Sequence, residues 1–144
     1  GILGDRSSIE QYDPGLWQKV IHINLTAPFV LTQALMPSLK LSKHPSVIFT
    51  SSGVGQIGKA FWGAYCVSKF GTEALSQILA QELTHTSFRV NCINPGAVKT
   101  KMRLAAYPAE NRDKLKSPEE ILSPYIFLMD DESLGITNKC YDAQ

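Results

Sequence analysis

The chain has 144 residues, 44% of them hydrophobic and 19% charged, with a formal net charge of +1. That length predicts one domain with a core of its own. The near-neutral balance, without a basic run, gives no electrostatic reason to expect nucleic acid or an anionic membrane as partner. Cys66, Cys92 and Cys140 are odd in number and widely spaced, and His22, His44 and His85 lack ligand spacing. No disulfide framework or metal site is therefore expected, and reduced thiols in a cytoplasmic protein are.

Gly1 to Pro14 is polar and reads as a loop. Asp13-Pro14 marks a helix start, with Asp as cap and Pro in the first turn. Leu16, Val20, Ile23, Ala27, Leu31, Ala34 and Leu35 recur at three and four, predicting one long amphipathic helix. The uncharged run Val20 to Leu39 has the length of a membrane span. It also holds His22, Asn24, Thr26, Thr32, Gln33 and two prolines, so a buried helix is expected instead. No signal peptide opens the chain. Asn24, on the residues alone, reads as a polar group on a wet face. Pro28, four residues on, lacks an N–H and frees a carbonyl near position 24, which fits a local distortion there.

Ser46 to Thr50, SVIFT, predicts a buried parallel strand. The next residues, Gly53 to Gly58, match the dinucleotide pattern G-x-G-x-x-G. They are read as a decoy. Lys59 to Trp62 intervenes before the helix, and Glu73, at the spacing of a ribose-binding acid, falls in a helical pattern. A helix is predicted from about Gly63 to Thr84, with Val67, Phe70, Gly71, Ala74, Leu75, Ile78, Leu79 and Leu83 on one face. Phe88 to Asn94 predicts a second buried strand, stopped by Pro95-Gly96. Thr100 to Ala106 reads as a short helix. Of Lys99, Lys101 and Arg103 beside it, at least two are expected in solvent, although any of them could meet a cofactor phosphate. Tyr107 to Lys116 reads as a mobile lid or loop. Ser117-Pro118-Glu119-Glu120 signals a helix with Ser as cap, running to about Met129. Lys139 to Tyr141 reads as a last short strand. The alternation predicts an open, mostly parallel α/β sheet in a single domain spanning 1–144.

The chemistry is concentrated between Thr50 and Gly71. Tyr65 and Lys69 are i,i+4 neighbours on one helix face, and Ser52 ends the strand before them. A free Tyr is only about 0.1% phenolate at pH 7. A neighbouring ammonium is expected to lower its pKa, so that it can exchange a proton with a substrate oxygen near neutrality. Ser52 can hold that oxygen. None of the three supplies a hydride, so a nicotinamide cofactor would have to. With five Tyr and ten Lys, about 0.35 Tyr-x-x-x-Lys pairs arise by chance, and the pair alone is weak evidence.

TSSGVG, then YCVSK, then NCINPGAVKT together resemble the short-chain dehydrogenase/reductase family. The resemblance covers essentially the whole chain. Its ending, LKSPEEI through YIFLMDDES to YDAQ, is most similar to the YciK-type branch of bacterial reductases, whose substrate is unsettled. The final DAQ departs from the usual DGG. The resemblance implies that Ser52 orients substrate, Tyr65 is the acid/base, and Lys69 tunes it and binds ribose. It places Asn24 as the fourth member of a tetrad, kinking its helix and holding a relay water. Pro95, Gly96, Val98 and Thr100 fall on the segment that contacts the nicotinamide end of NAD or NADP. The implied fold is a Rossmann-like doubly wound sheet whose C-terminal half is present and whose N-terminal cofactor-binding half is absent from this chain. Gly1 looks like the end of the family's Asn-Ala-Gly segment, so the fragment alone is expected to be inactive.

The expected activity is hydride transfer between nicotinamide and a small carbonyl or alcohol substrate. The resemblance implies that the helices before and after the first strand pack across a subunit interface of a homodimer or homotetramer; on the residue pattern alone, packing of the second helix only on its own sheet reads equally well. A non-catalytic nucleotide-binding or oligomerising protein on the same fold is the alternative. A serine hydrolase is disfavoured, because Ser51-Ser52-Gly53 is no G-x-S-x-G elbow.

Overall fold

Asp13 opens the first helix as its position predicts: its Oδ1 accepts the Leu16 N–H at 2.7 Å, and Pro14 occupies the first turn. The computed structural model describes all 144 residues. Helix α1 (Pro14–Ile21) continues through a π-helical turn, His22–Thr26, into α2 (Ala27–Leu39). Strand β1 (Ser46–Thr50), helix α3 (Gly63–Glu82) and strand β2 (Arg89–Asn94) follow. Short helices α4 (Lys101–Ala106) and α5 (Ser123–Met129) precede strand β3 (Cys140–Asp142).

The three strands form one parallel sheet in the order β1-β2-β3, with Ser46 opposite Arg89 and Cys92 opposite Cys140. Parallel pairing needs crossovers, and α3 supplies the one between β1 and β2. Phe49, Ala80, Val90 and Cys92 form the core between that helix and the sheet. A second cluster, Tyr12, Val20 and Ala64, joins α1 to the start of α3.

The π turn is the predicted distortion. The Ala27 N–H reaches back to the His22 carbonyl, and Pro28 brings no N–H of its own. The Asn24 carbonyl takes a long bond, 3.4 Å, from the Thr72 hydroxyl of α3. Asn24 is buried at 4% exposure, so the wet-face reading is overturned.

The expected burial of the Val20–Leu39 run does not hold within this chain. Only Val20 and Asn24 are buried, while Phe29, Val30, Leu31 and Leu35 are about half exposed. The rod from Pro14 to Leu39 is long and apolar enough to cross a membrane by length and composition alone. Its inner face nevertheless packs on α3, as a core helix does. Strand β1 is likewise less buried than expected, with only Phe49 below the surface, because nothing pairs with its outer edge. An apolar groove of about 580 Å³ runs there between α2 and β1, past Leu31, Leu35 and Val47. Strand β2, flanked on both sides, is buried along five of its six residues.

Two boundaries also move. A single 3-10 turn, Glu119–Ile121, stands where the helix from Ser117 was expected, and α5 starts only at Ser123, with Pro in its first turn. Ser117 caps nothing with its hydroxyl; its N–H donates to Glu120 Oε2 at 2.7 Å. The expected lid, Tyr107–Lys116, is a loop fastened at both ends by the Arg103–Glu110 pair and the Val98–Lys116 bridge.

Candidate active site

Thr50 ends β1 and the chain leaves the sheet through Ser51 and Ser52. The glycines that follow make a 3-10 turn, Gly53–Gly55, and α3 begins only at Gly63. They therefore build the loop between strand and helix rather than a phosphate-binding helix start. Glu73 lies buried in mid-helix and accepts a hydrogen bond from the Ser51 hydroxyl, which rules it out as a strand-end acid.

A cavity of about 410 Å³ opens at the C-terminal ends of β1 and β2, where parallel sheets hold ligands. Ser52, Tyr65, Lys69, Pro95, Gly96, Val98 and Thr100 all line it. Seven of the eight residues singled out in the sequence thus meet in one place. Gly96 turns the β2 exit with φ +70°, a conformation that favours glycine. Thr100 caps α4 by accepting the Arg103 N–H at 3.1 Å.

Asn24 is not in the cavity wall. It stands behind it, clamped to two segments. Its Oδ1 accepts the Ile2 N–H at 2.8 Å, and its Nδ2 donates to the Ile2 carbonyl at 2.8 Å and to Ser68 Oγ at 3.1 Å. The Ser68 hydroxyl donates in turn to the Tyr65 carbonyl at 2.7 Å.

Lys69 is buried at 8% exposure and donates to the Thr50 carbonyl at 2.7 Å. Its Nζ lies 5.7 Å from the Tyr65 ring centroid. Burial pushes the Lys69 ammonium below its usual pKa. Burial also pushes the Tyr65 phenol above its usual value of 10.0, with the Ser52 hydroxyl pulling it the other way. The expectation that Lys69 depresses the Tyr65 pKa is corrected here. Desolvation outweighs the neighbours, and the phenol is the proton-bearing form at neutral pH.

Of the three cations near α4, Arg103 reaches the cavity wall but is forked to Glu110 at 2.5 and 2.6 Å. Lys99 makes a loose exposed contact with Asp113, 3.8 Å, and Lys101 is exposed. Trp62, Ala106 and Tyr107, which the sequence reading passed over, form one aromatic side of the site: Trp62 and Ala106 line the cavity, the Trp62 ring lies 5.8 Å from the Tyr65 ring, and Tyr107 packs against them. Trp62 precedes the helix by one residue and carries no motif, so no local signal marked it.

The residues present fit the reactive end of a nicotinamide cofactor. A hydroxyl, a phenol and an ammonium face a cavity whose wall contains no carboxylate. A cradle for the pyrophosphate is not among them.

A family model described as short chain dehydrogenase matches residues 1–111. The oxidoreductase YciK of Escherichia coli (strain K12), itself uncharacterised, is 48% identical over 144 residues, all of this chain and 57% of its own length. A solved short chain dehydrogenase of Shigella flexneri 2a str. 301, complexed with NADP, superposes with a TM-score of 0.97 at 49% identity, over all of this chain and 60% of that one. Another from Escherichia coli CFT073, complexed with NADPH, gives 0.97 at 49% over the same shares. The chain thus spans under two thirds of the length of these relatives. With the motifs in one cavity, and more than half of its residues matched by the family, the chain belongs to the short chain dehydrogenases.

Proposed function

We propose that the protein carrying this chain transfers hydride between NAD or NADP and a carbonyl or alcohol substrate, with Tyr65 as acid/base. The observation that carries the reading is the convergence of Ser52, Tyr65 and Lys69 on one cavity with the Pro95–Thr100 segment. The NADP and NADPH complexes of the two relatives support the cofactor.

The cofactor supplies the hydride when bound. Lys69 and the Pro95, Gly96, Val98 and Thr100 segment would hold its nicotinamide and ribose. Ser52 hydrogen-bonds the substrate oxygen and fixes it beside Tyr65. In reduction the Tyr65 hydroxyl gives its proton to that oxygen; in oxidation it takes one back. Its raised pKa suits the reductive direction, because the acid form dominates at neutral pH. Lys69, anchored on Thr50, positions the strand end next to the helix. Trp62 lines the cavity with its ring 5.8 Å from that of Tyr65. Asn24, for which the family resemblance implies a relay water, enters here as a positioning residue that links Ile2 to the Tyr65–Lys69 turn.

The exposed apolar residues of α2 and α3, among them Phe29, Leu31, Val67, Phe70 and Ile78, support a homodimer or homotetramer. The experiment for the activity is Tyr65→Phe in the full-length protein. Loss of turnover with retained cofactor binding is expected, and near-normal turnover sinks the assignment.

A further inference from the structure

The inference concerns the substrate class of the site just described and rests on that reading. Two cations stand against the aromatic side of the cavity, on the rings of its lining residue Trp62 and of Tyr107 behind it. The Arg6 guanidinium sits 4.9 Å from the Trp62 ring and 5.3 Å from the Tyr107 ring. Lys59 Nζ sits 5.5 and 5.6 Å from the same two rings and donates to the Tyr107 hydroxyl at 3.1 Å. Arg103 lies 4.0 Å from Tyr107, but Glu110 neutralises it.

Arg6 and Lys59 have no such partner. Arg6 donates to the Ala106 carbonyl, and neither cation has a carboxylate within ion-pair distance. Ring faces attract cations without cancelling their charge. Arg6 and Lys59 stand outside the cavity lining and meet it through Trp62, so two like charges against the same pair of rings leave positive charge next to a cavity whose wall carries no Asp or Glu. Ring and chain contacts hold both side chains in place beforehand, which lowers the ordering cost of receiving an anion.

We infer that Arg6 and Lys59 form an anion handle: the carbonyl substrate carries a carboxylate, or a like oxyanion, at the end remote from the reacting carbon. Trp62 and Tyr107 flank the apolar stem between the two ends. Oxyanions could also come from a cofactor phosphate, and the test separates the two sources.

The test uses the full-length protein with NADPH and NADH. A series of methyl keto acids of increasing chain length is compared with the matching methyl esters. For the best length the acid is expected to exceed its ester in kcat/KM by roughly tenfold, the scale of two exposed charge pairs, mostly through KM. The preference should shrink as salt rises. In the double variant Arg6→Gln, Lys59→Gln the acid-to-ester ratio should fall toward one while cofactor affinity holds. Equal use of acid and ester by the wild type overturns the handle. So does a double variant that loses cofactor affinity, since the cations would then serve the cofactor phosphate.

A second readout does not depend on turnover. In a Trp17→Phe background, Trp62 is the one remaining indole of this chain, and its fluorescence change on titration is compared with the same titration of a Trp62→Phe control. The change in the Trp17→Phe protein reports acid and ester binding directly. Tighter binding of acid than ester supports the handle even if no keto compound is reduced, in which case only the reductase reading fails. Equal binding removes the handle and leaves the reductase reading standing.

Discussion

Lys69 Nζ donates to the carbonyl of Thr50 at 2.7 Å, so the lysine of the helix holds the end of the strand that delivers Ser52. Its tether is mechanical as well as electrostatic. Lys69→Met keeps the length and removes the donor, leaving the part-buried Thr50 carbonyl without this partner. We expect weaker cofactor binding and a fall in kcat/KM of ~10²-fold. A variant with unchanged kcat/KM and unchanged cofactor affinity would show that Lys69 holds neither the strand end nor the cofactor.

On the proposed acid/base role, Tyr65 sets the direction of the pH dependence. Its pKa lies above 10.0, with burial as the largest cause. The protonated phenol therefore persists through neutrality, and reduction should run on a plateau there and decline only on the alkaline side. Oxidation needs the deprotonated form and should rise with pH over the same alkaline range. Tyr65→Phe should lower turnover in both directions by ~10²-fold or more and abolish the two opposed arms. A reductive profile that falls below pH 7 in the wild type would contradict the burial argument.

Asn24 reaches the candidate site through Ser68, whose hydroxyl donates to the Tyr65 carbonyl, rather than through the cavity. Asn24→Ala removes three side-chain hydrogen bonds, two to Ile2 and one to Ser68. Buried partners left unpaired cost ~1–3 kcal/mol. The expected result is a lowered midpoint in urea together with reduced kcat. Asn24→Asp, which keeps the acceptor for the Ile2 N–H, should recover part of the stability. Full activity in Asn24→Ala would limit Asn24 to packing.

Arg89, at the start of the central strand, is a structural counterpart. It is fully buried, and its guanidinium donates to the carbonyls of Asp130 at 2.6 Å and His44 at 3.2 Å and to the Ser133 hydroxyl. No carboxylate faces it. Arg89→Met should destabilise the full-length protein by ~2–3 kcal/mol, because several buried acceptors lose a charged donor at once. Arg89→Lys should not restore the loss, since one ammonium cannot span both carbonyls. Denaturant midpoints of the two variants decide the point.

Residues 1–144 expressed alone should self-associate. The outer edge of β1 is unpaired, and α2 exposes Phe29, Val30, Leu31 and Leu35 beside an apolar groove. Unpaired edges and apolar patches of this kind promote association. Size-exclusion chromatography with light scattering measures it, and a stable monomer that binds NADP at micromolar concentration would refute the expectation.

What the sequence determined by itself lies within about one helical turn of each residue concerned. Tyr65 and Lys69 share a face because i and i+4 always do. Asp13-Pro14 starts a helix because a carboxylate can accept the Leu16 N–H and proline needs no partner in the first turn. Pro28 disturbs the helix at Asn24 because a missing N–H acts on the preceding turn. Contacts across the chain followed no such rule. Lys69 meets Thr50 from 19 positions away, and Arg6 meets Ala106 from 100. Those partners depend on how the sheet stacks on its helices, as do the half-exposed state of β1, the burial of Asn24 and the rise rather than fall of the Tyr65 pKa. Desolvation is a property of everything packed around a group, so only the tertiary structure could decide it.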